Sequence, residues 1–474
     1  MGYQLWLPGH QLGRGRAPWI DPYSFRPESE PRFNPAWWPF GLLFWPLVAA
    51  LGPVLAWNAF VLLGFVAAGG LTTGWLRELG LPRGAALAGG LAFALAPYRV
   101  VQSADHLLAA AAVLLPAALW AWERGMRGSR AWFGVSALAL ASIPLSGQVH
   151  LALGALPFFA ASVLARSRGR RDLVAFSLAL LLALAAGALV YFTVISGSTG
   201  AGGRSFAQVE RYSAGWGDLV ARRIRGEREA FVFLGWALPL LALVGLATLR
   251  RRALALVLGL GVLVPVLLAL GATTPLYEPL WRALPPLEAT RVPERLMPVA
   301  CLALAALAAF ALARVKRPLV VAAVLGLLAL DLRVAALIEA TAADPGNSAY
   351  VALSRLPPGR LLELPVYRPE QQGGSIYHYY LQGAPRERPT GYSTLAPPSA
   401  DAVARRLRAL NCGFWSDAEA RLVARLGVRY VLVHVGIYER DRVFLCHPGG
   451  LARHGYRIVV DKGPIFLLAL SSPE

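Results

Sequence analysis

Residues 75–108 read WLRELGLPRGAALAGGLAFALAPYRVVQSADHLL. A short connection carrying Arg77, Glu78 and Arg83 leads into an apolar run from 84 to 100. That run ends in a polar hinge containing Tyr98, Arg99, Gln102, Asp105 and His106 before apolar residues resume. An apolar run of about this length, basic at one end and polar at the other, reads as a membrane-spanning helix. In hydrocarbon only a helix or a closed barrel satisfies its own backbone.

The rest of the chain repeats the pattern. Of 474 residues 56% are apolar and 15% charged, and the mean hydropathy is +0.51. Soluble domains carry about 25% charged residues, so this chain lacks the polar residues to cover its surface. The same figures exclude disorder, collagen and a disulfide-stapled module. Ten spans are expected, at 53–76, 84–100, 104–122, 131–146, 149–165, 173–195, 230–249, 253–271, 297–314 and 318–340. The fourth and fifth, separated by Gly147 and its neighbours, are either two spans or a re-entrant pair.

Every second connection is then short and basic: 77–83, 123–130, 166–172, 250–252 and 314–317. Together they hold 15 Lys or Arg and 3 Asp or Glu. Positive residues in short loops mark the cytoplasmic side, so most of the net charge of +19 is an orientation signal. A nucleic-acid binder would gather its charge in one domain or along one helix, and no nucleic acid is expected as a partner. Residues 1–52, 196–229, 272–296 and everything after 340 then face outward.

Three regions follow: an outward N-terminal loop with an interfacial helix (1–52), a helical bundle (53–340) and a small extracytoplasmic α/β domain (341–474). Residues 1–52 show no cleavable signal peptide. They are expected either to translocate unaided or to follow a further helix in a longer protein. Trp37 to Leu51 reads as a helix lying in the interface. The stretch SGSTGAGG (196–203) opens a loop that is either a lid or a connector. In the last region LLELPV (361–366), RYVLVHV (429–435) and the two halves of IVVDKGPIFLLAL (458–470) read as strands. Residues 399–411 and 416–426 read as amphipathic helices. Cys412 and Cys446 are either a disulfide or two separate thiols. No P-loop, GxGxxG, HExxH or paired CxxC occurs.

Ionisable groups near the ends of spans are costly to bury and are functional candidates by default. On the outward side these are Asp21; Tyr98, Arg99, Gln102, Asp105 and His106 in the second hinge; Gln148 and His150 in the next; and Glu288, Arg291, Glu294 and Arg295 in LEATRVPERLMP. A carboxylate or histidine among arginines can deprotonate a hydroxyl while guanidinium groups hold a phosphate. Each has a plainer reading. The histidines could be satisfied interfacial groups, the arginines could pair with Glu288 and Glu294, and Asp21 before Pro22 could start a turn. Asp331 and Arg333 read as a polar patch inside the bundle.

The stretches LWLPGHQLGRGRAPWIDPYSF (5–25), NPAWWPFGLLFWPL (34–47) and residues 75–108 together resemble the N-terminal half of bacterial GT-C integral membrane glycosyltransferases. TRVPERL (290–296), GYSTLAPPS (391–399) and RLGVRYVLVH (425–434) are similar to later parts of that group. The resemblance covers essentially the whole chain. It implies a multi-span protein of the bacterial cytoplasmic membrane that moves sugar from a polyprenyl-phosphate donor to a glycan, lipid or protein acceptor outside, with inversion. It implies an acidic base in the first outward loop, sometimes with a divalent metal such as Mg or Mn. By position Asp21 is the base, with Asp105 as the other candidate and His106 beside it. Arg291 and Arg295 match arginines at the donor phosphate; Tyr98, Arg99, Gln102, His150 and Glu288 complete the substrate-binding set. In the group that loop follows a first helix whose outer end bears the acid, and this sequence begins near that point. The rival readings are a lipid or polysaccharide flippase, which predicts mid-membrane charges and an internal repeat, and a non-catalytic membrane scaffold.

Overall fold

The alanine- and leucine-rich helix Met297–Leu312 forms the centre of a helical bundle. In the segment Pro293–Leu312, 89% of the apolar window is enclosed, against 17–28% in the three other helices that, among the described residues, are long and apolar enough to cross a membrane. Small side chains explain the difference, because within lipid they let helix backbones approach closely. The computed structural model describes residues 2–103, 106–167, 169–200, 204–288, 290–334, 344, 346–440, 455–461 and 463–470.

In chain order the first elements are α1 (Gly2–Leu12), β1 (Ile20–Asp21), β2 (Arg32–Phe33), α2 (Phe40–Glu78), α3 (Arg83–Ala94), α4 (Pro97–Gln102), α5 (Leu108–Ala111), α6 (Leu114–Arg127), α7 (Ala131–Leu145), α8 (Val149–Leu164) and α9 (Arg170–Val190). They are followed by α10 (Phe206–Tyr212), α11 (Ala237–Thr248), α12 (Arg252–Ala269), α13 (Tyr277–Ala283), α14 (Pro285–Glu288), α15 (Met297–Leu312) and α16 (Pro318–Asp331). Helices α3, α11 and α12 pack on α15. A Cβ at Gly245 of α11 would collide with the Leu307 carbonyl of α15, so only glycine permits this crossing.

Helix α2 runs through the expected interfacial helix and the first expected span, and the chain turns between them at Gly52, where φ is +73°. The expected third span is two pieces, α5 and α6, and the fourth and fifth are separate short helices, α7 and α8. The basic connections lie at one end of the bundle, tied in pairs. Arg127 meets Glu78 at 3.0 Å, Arg166 grips Glu123 with two bonds of 2.8 and 2.7 Å, and Arg314 donates to the Thr248 carbonyl.

The last region adds α17 (Ser348–Arg355), β3 (Arg360–Leu364), α18 (Ser375–Leu381), α19 (Pro398–Leu407), α20 (Asp417–Arg425), β4 (Val428–His434), α21 (Val435–Arg440), β5 (Tyr456–Val460) and β6 (Ile465–Leu470). Its four strands are ordered β3-β4-β6-β5; β3 runs parallel to β4, and the other two pairings are antiparallel. The expected strands and both amphipathic helices are present. Cys446, and with it the pairing with Cys412, lies outside the described residues.

This sheet domain is clasped to the rest. Arg388 N donates to Tyr23 O at 2.8 Å, and Thr199 N to Ala396 O at 2.8 Å. Arg32 reaches Leu395 O at 2.6 Å and Arg204 reaches Thr394 O at 2.8 Å. All four bonds hold the segment 388–396, which contains most of GYSTLAPPS, between the N-terminal loop and the 196–229 loop.

Candidate functional site

At the end of the bundle opposite the basic connections, two loops bring three arginines together. Arg291 and Arg295 leave the short turn before α15, where Pro293 opens a single 3-10 turn running into the helix. Arg204 comes from the first described position after SGSTGAGG, and its backbone N–H donates to Glu288 O at 2.9 Å, which joins the two loops. All three are half-buried. Among the described residues none has an ion-pair partner, so the alternative clamp with Glu288 and Glu294 is not formed. Burial first, then the Arg291 charge, pulls Arg204 below the ordinary arginine value, while Glu370 works the other way. Like charges gathered without counter-ions in a partly dry site favour an anion.

Unpartnered polar atoms surround these cations. His106 Nδ1, His150 Nε2, the Tyr98 hydroxyl and both carboxylate oxygens of Glu294 are buried without a hydrogen-bond partner. Both histidines lie within electrostatic reach of Arg291 and Arg295. Leaving such groups unmet costs about 1–3 kcal/mol each, so several in one place mark a site shaped for a ligand. From the sheet domain Tyr392 faces Arg291 and Arg295, whose charges oppose the upward push of burial on its hydroxyl. The Arg291 guanidinium lies over the Tyr212 ring at 5.5 Å. An apolar cleft opens beside His106, walled by Trp57, Phe60, Gly64 and Phe65 of α2 and floored by Arg99 and Ser103.

Other expected residues have different surroundings. Arg99 is buried and committed to backbone, donating to the carbonyls of Phe93 at 3.0 Å and Ala109 at 2.7 Å, with its guanidinium 4.3 Å from the Phe93 ring. It ties the end of α3 to α5. Gln102 donates to Arg228 O at 3.3 Å. Glu288 is half-buried and contributes its carbonyl to Arg204.

Asp21 sits in the short β1–β2 pair, and its carboxylate accepts from the Tyr3 hydroxyl at 2.8 Å, Tyr23 N at 2.9 Å and the Ser24 hydroxyl at 2.9 Å. A run of rings links it to Tyr392. Tyr3 stacks on His378 at 4.6 Å, and His378 meets Tyr392 at 6.4 Å. Asp105 lies outside the described residues.

Arg204 and Tyr392 were not among the expected site residues. Arg204 is the first charge after a glycine-rich run, and Tyr392 lies in the quoted GYSTLAPPS, but only the fold brings either to the arginines. Among the described residues no three of His, Cys, Asp and Glu come together as metal ligands.

The structure aligns over 99% of this chain with arabinofuranosyltransferase AftD from Mycobacteria, at a TM-score of 0.63 and 18% identity; the chain spans 38% of that protein's length. It also aligns over 99% with the Archaeoglobus fulgidus oligosaccharyltransferase tethered to an acceptor peptide containing the NVT sequon, at 0.53 and 15%. A third match is the same organism's oligosaccharyltransferase AglB with an inhibitory peptide and a dolichol-phosphate, at 0.52 and 14%. The chain spans 70% of each of these two. No protein-family model and no curated protein sequence matches it. The likeness is one of fold, and it agrees with the sequence resemblance: the chain has the GT-C fold of integral membrane glycosyltransferases.

Proposed function

We propose that this protein is an inverting membrane glycosyltransferase that takes sugar from a polyprenyl-phosphate donor at the end of the bundle bearing the sheet domain, which faces outward across a bacterial cytoplasmic membrane. The observation that carries the reading is the set of three arginines without ion-pair partners among the described residues, Arg204, Arg291 and Arg295, beside the apolar cleft at His106. A prenyl phosphate has this composition: an apolar chain and a dianionic head. As the acceptor oxygen bonds to the anomeric carbon from the far face, the carbon–oxygen bond to phosphate breaks and its electron pair moves onto the phosphate. Guanidinium forks already in place stabilise that charge without reorganising. His106 and His150 supply the free nitrogens that position phosphate or sugar hydroxyls, and Tyr392 closes the site from the sheet domain, which binds the glycan, lipid or protein acceptor.

The acceptor proton goes to Asp105. Asp21 already accepts three hydrogen bonds from neighbouring residues, so its role is to hold the N-terminal loop against the sheet domain. The flippase reading has less support, since these charges cluster at one end of the bundle. The test is transfer from a polyprenyl-phosphate sugar by the purified chain, with the product's anomeric configuration read by NMR. Asp105→Asn should abolish transfer and Asp21→Asn should spare it. Retention of configuration, or loss with Asp21→Asn alone at unchanged thermal stability, contradicts the assignment.

A further inference from the structure

The outward loop between α9 and α11 contains WGDLVARRIRG (216–226), three arginines against one aspartate. Two of its charges are committed. Asp218 accepts Gly215 N at 2.8 Å. Arg222 donates to Asp331 O at 3.0 Å, lies 3.5 Å from the Asp331 carboxylate and stacks over Trp236 at 4.4 Å. Asp331, expected as a polar patch within the bundle, accepts the N–H groups of Trp236 at 2.9 Å and Ala237 at 2.8 Å and so caps α11. Gly235 makes this approach possible: its φ is +94°, and a Cβ there would lie 2.6 Å from the carboxylate.

These bonds pin the loop to the ends of α11 and α16, whose outer faces expose Leu240, Leu243, Leu327 and Leu330 to lipid. At the depth where those faces end, Trp216, Val220 and Trp236 are each more than half exposed. Tryptophan prefers this level, between hydrocarbon and water. The Trp236 indole N–H donates to Val220 O at 3.3 Å, which joins two of the three. Beside them Arg223 and Arg225 line a cavity of about 210 Å³. Neither has a hydrogen-bond or ion-pair partner among the described residues. Arg211 and Glu227, also at its wall, satisfy each other at 2.7 Å.

We propose that this loop is a binding site for an anionic phospholipid: Arg223 and Arg225 take the headgroup phosphate while Trp216, Val220 and Trp236 seat against the glycerol and upper acyl chains. A zwitterionic lipid brings its own ammonium, which the two arginines repel, so the site selects net negative charge. The loop is distinct from the three-arginine cluster, and the site stands whether or not the protein transfers sugar.

The full chain in detergent, incubated with equal amounts of phosphatidylglycerol and phosphatidylcholine, is read by native mass spectrometry for retained lipid. The wild-type protein should retain phosphatidylglycerol in preference. One arginine at the headgroup contributes about fivefold, so Arg223→Gln with Arg225→Gln should reduce that preference about 25-fold. Arg223→Lys with Arg225→Lys should keep most of it, and Trp216→Ser should lower retention of both lipids alike. No preference in the wild type, or an unchanged preference in the double Gln variant, overturns the proposal. Displacement of the lipid by millimolar inorganic phosphate also overturns it, because the site would then serve a soluble anion.

Discussion

Two regions bury ionisable groups, and they solve the problem differently. In the sheet domain Glu363, Arg388, His434 and Tyr350 are almost wholly enclosed. Tyr350 donates to Glu363 at 2.5 Å and meets His434 Nε2 at 2.9 Å. Arg388 lies 3.0 Å from the other Glu363 oxygen and donates to Tyr377 O at 2.8 Å. Each charge faces its opposite, and the group joins β3, β4, α17 and α18. At the end of the bundle opposite the basic connections the arginines face one another, and His106 Nδ1, His150 Nε2, the Tyr98 hydroxyl and the Glu294 carboxylate have no hydrogen-bond partner. A charge-paired network holds a domain together, whereas a set of cations without counter-charges leaves its partner to be supplied from outside. Buried charge alone therefore does not identify a site; the missing counter-charge does.

The comparison can be broken by substitution. The largest effect expected is on transfer: Arg291→Ala with Arg295→Ala should lower it by about a thousandfold, with a melting temperature close to wild type because neither side chain holds the fold. Arg388→Met should do the reverse. It leaves Glu363 buried and unpaired, at about 3–5 kcal/mol of stability, and transfer should fall only with the folded fraction. Chemical denaturation beside an assay corrected for folded protein separates the two outcomes.

Asp21→Asn should cost about 1–3 kcal/mol, from loss of the carboxylate that three donors share. The smallest effect is on pH dependence. Burial, then the Arg388 charge, pushes His434 down to about 3 from its ordinary value of 6.5. The unfolded chain therefore takes up a proton below about pH 6.5 that the folded domain refuses. The stability from this histidine is complete above pH 6.5 and is lost as pH falls toward 3. Glu363, pushed up by burial, acts in the opposite sense, favouring the fold at low pH. Between pH 7 and 5 the melting temperature of His434→Gln should thus fall less than that of wild type; parallel slopes would remove His434 from the account.

The bundle was legible because hydrocarbon enforces long apolar runs and loop charge marks their ends, so most helices and the sheet domain's strands match their expected places. Helix breaks were less so: α5 and α6 share one apolar run, in which only Pro116, one turn after the break, marks the interruption. At the site Arg291, Arg295, His106 and His150 were readable from their positions above spans. The backbone bonds of Arg99 were not readable, because a charged residue at a span end can equally satisfy carbonyls, and only the fold shows that Phe93 O and Ala109 O are within its reach. Arg204 and Tyr392 sit far from the other site residues in sequence and join them through loops that carry no periodic signal. Asp331 was legible as polar but not as the cap of α11, since its partners Trp236 and Ala237 belong to a distant helix.

The central claim is that the open arginine cluster receives a lipid-linked phosphate. The direct measurement is the affinity of the purified, folded chain for a polyprenyl phosphate that bears no sugar, by titration calorimetry in detergent. Arg204→Ala should weaken binding about tenfold and Arg291→Ala with Arg295→Ala about a hundredfold or more, while Arg223→Gln with Arg225→Gln leaves it unchanged. Equal affinity in the wild type and the Arg291→Ala, Arg295→Ala protein, both folded, would contradict the account.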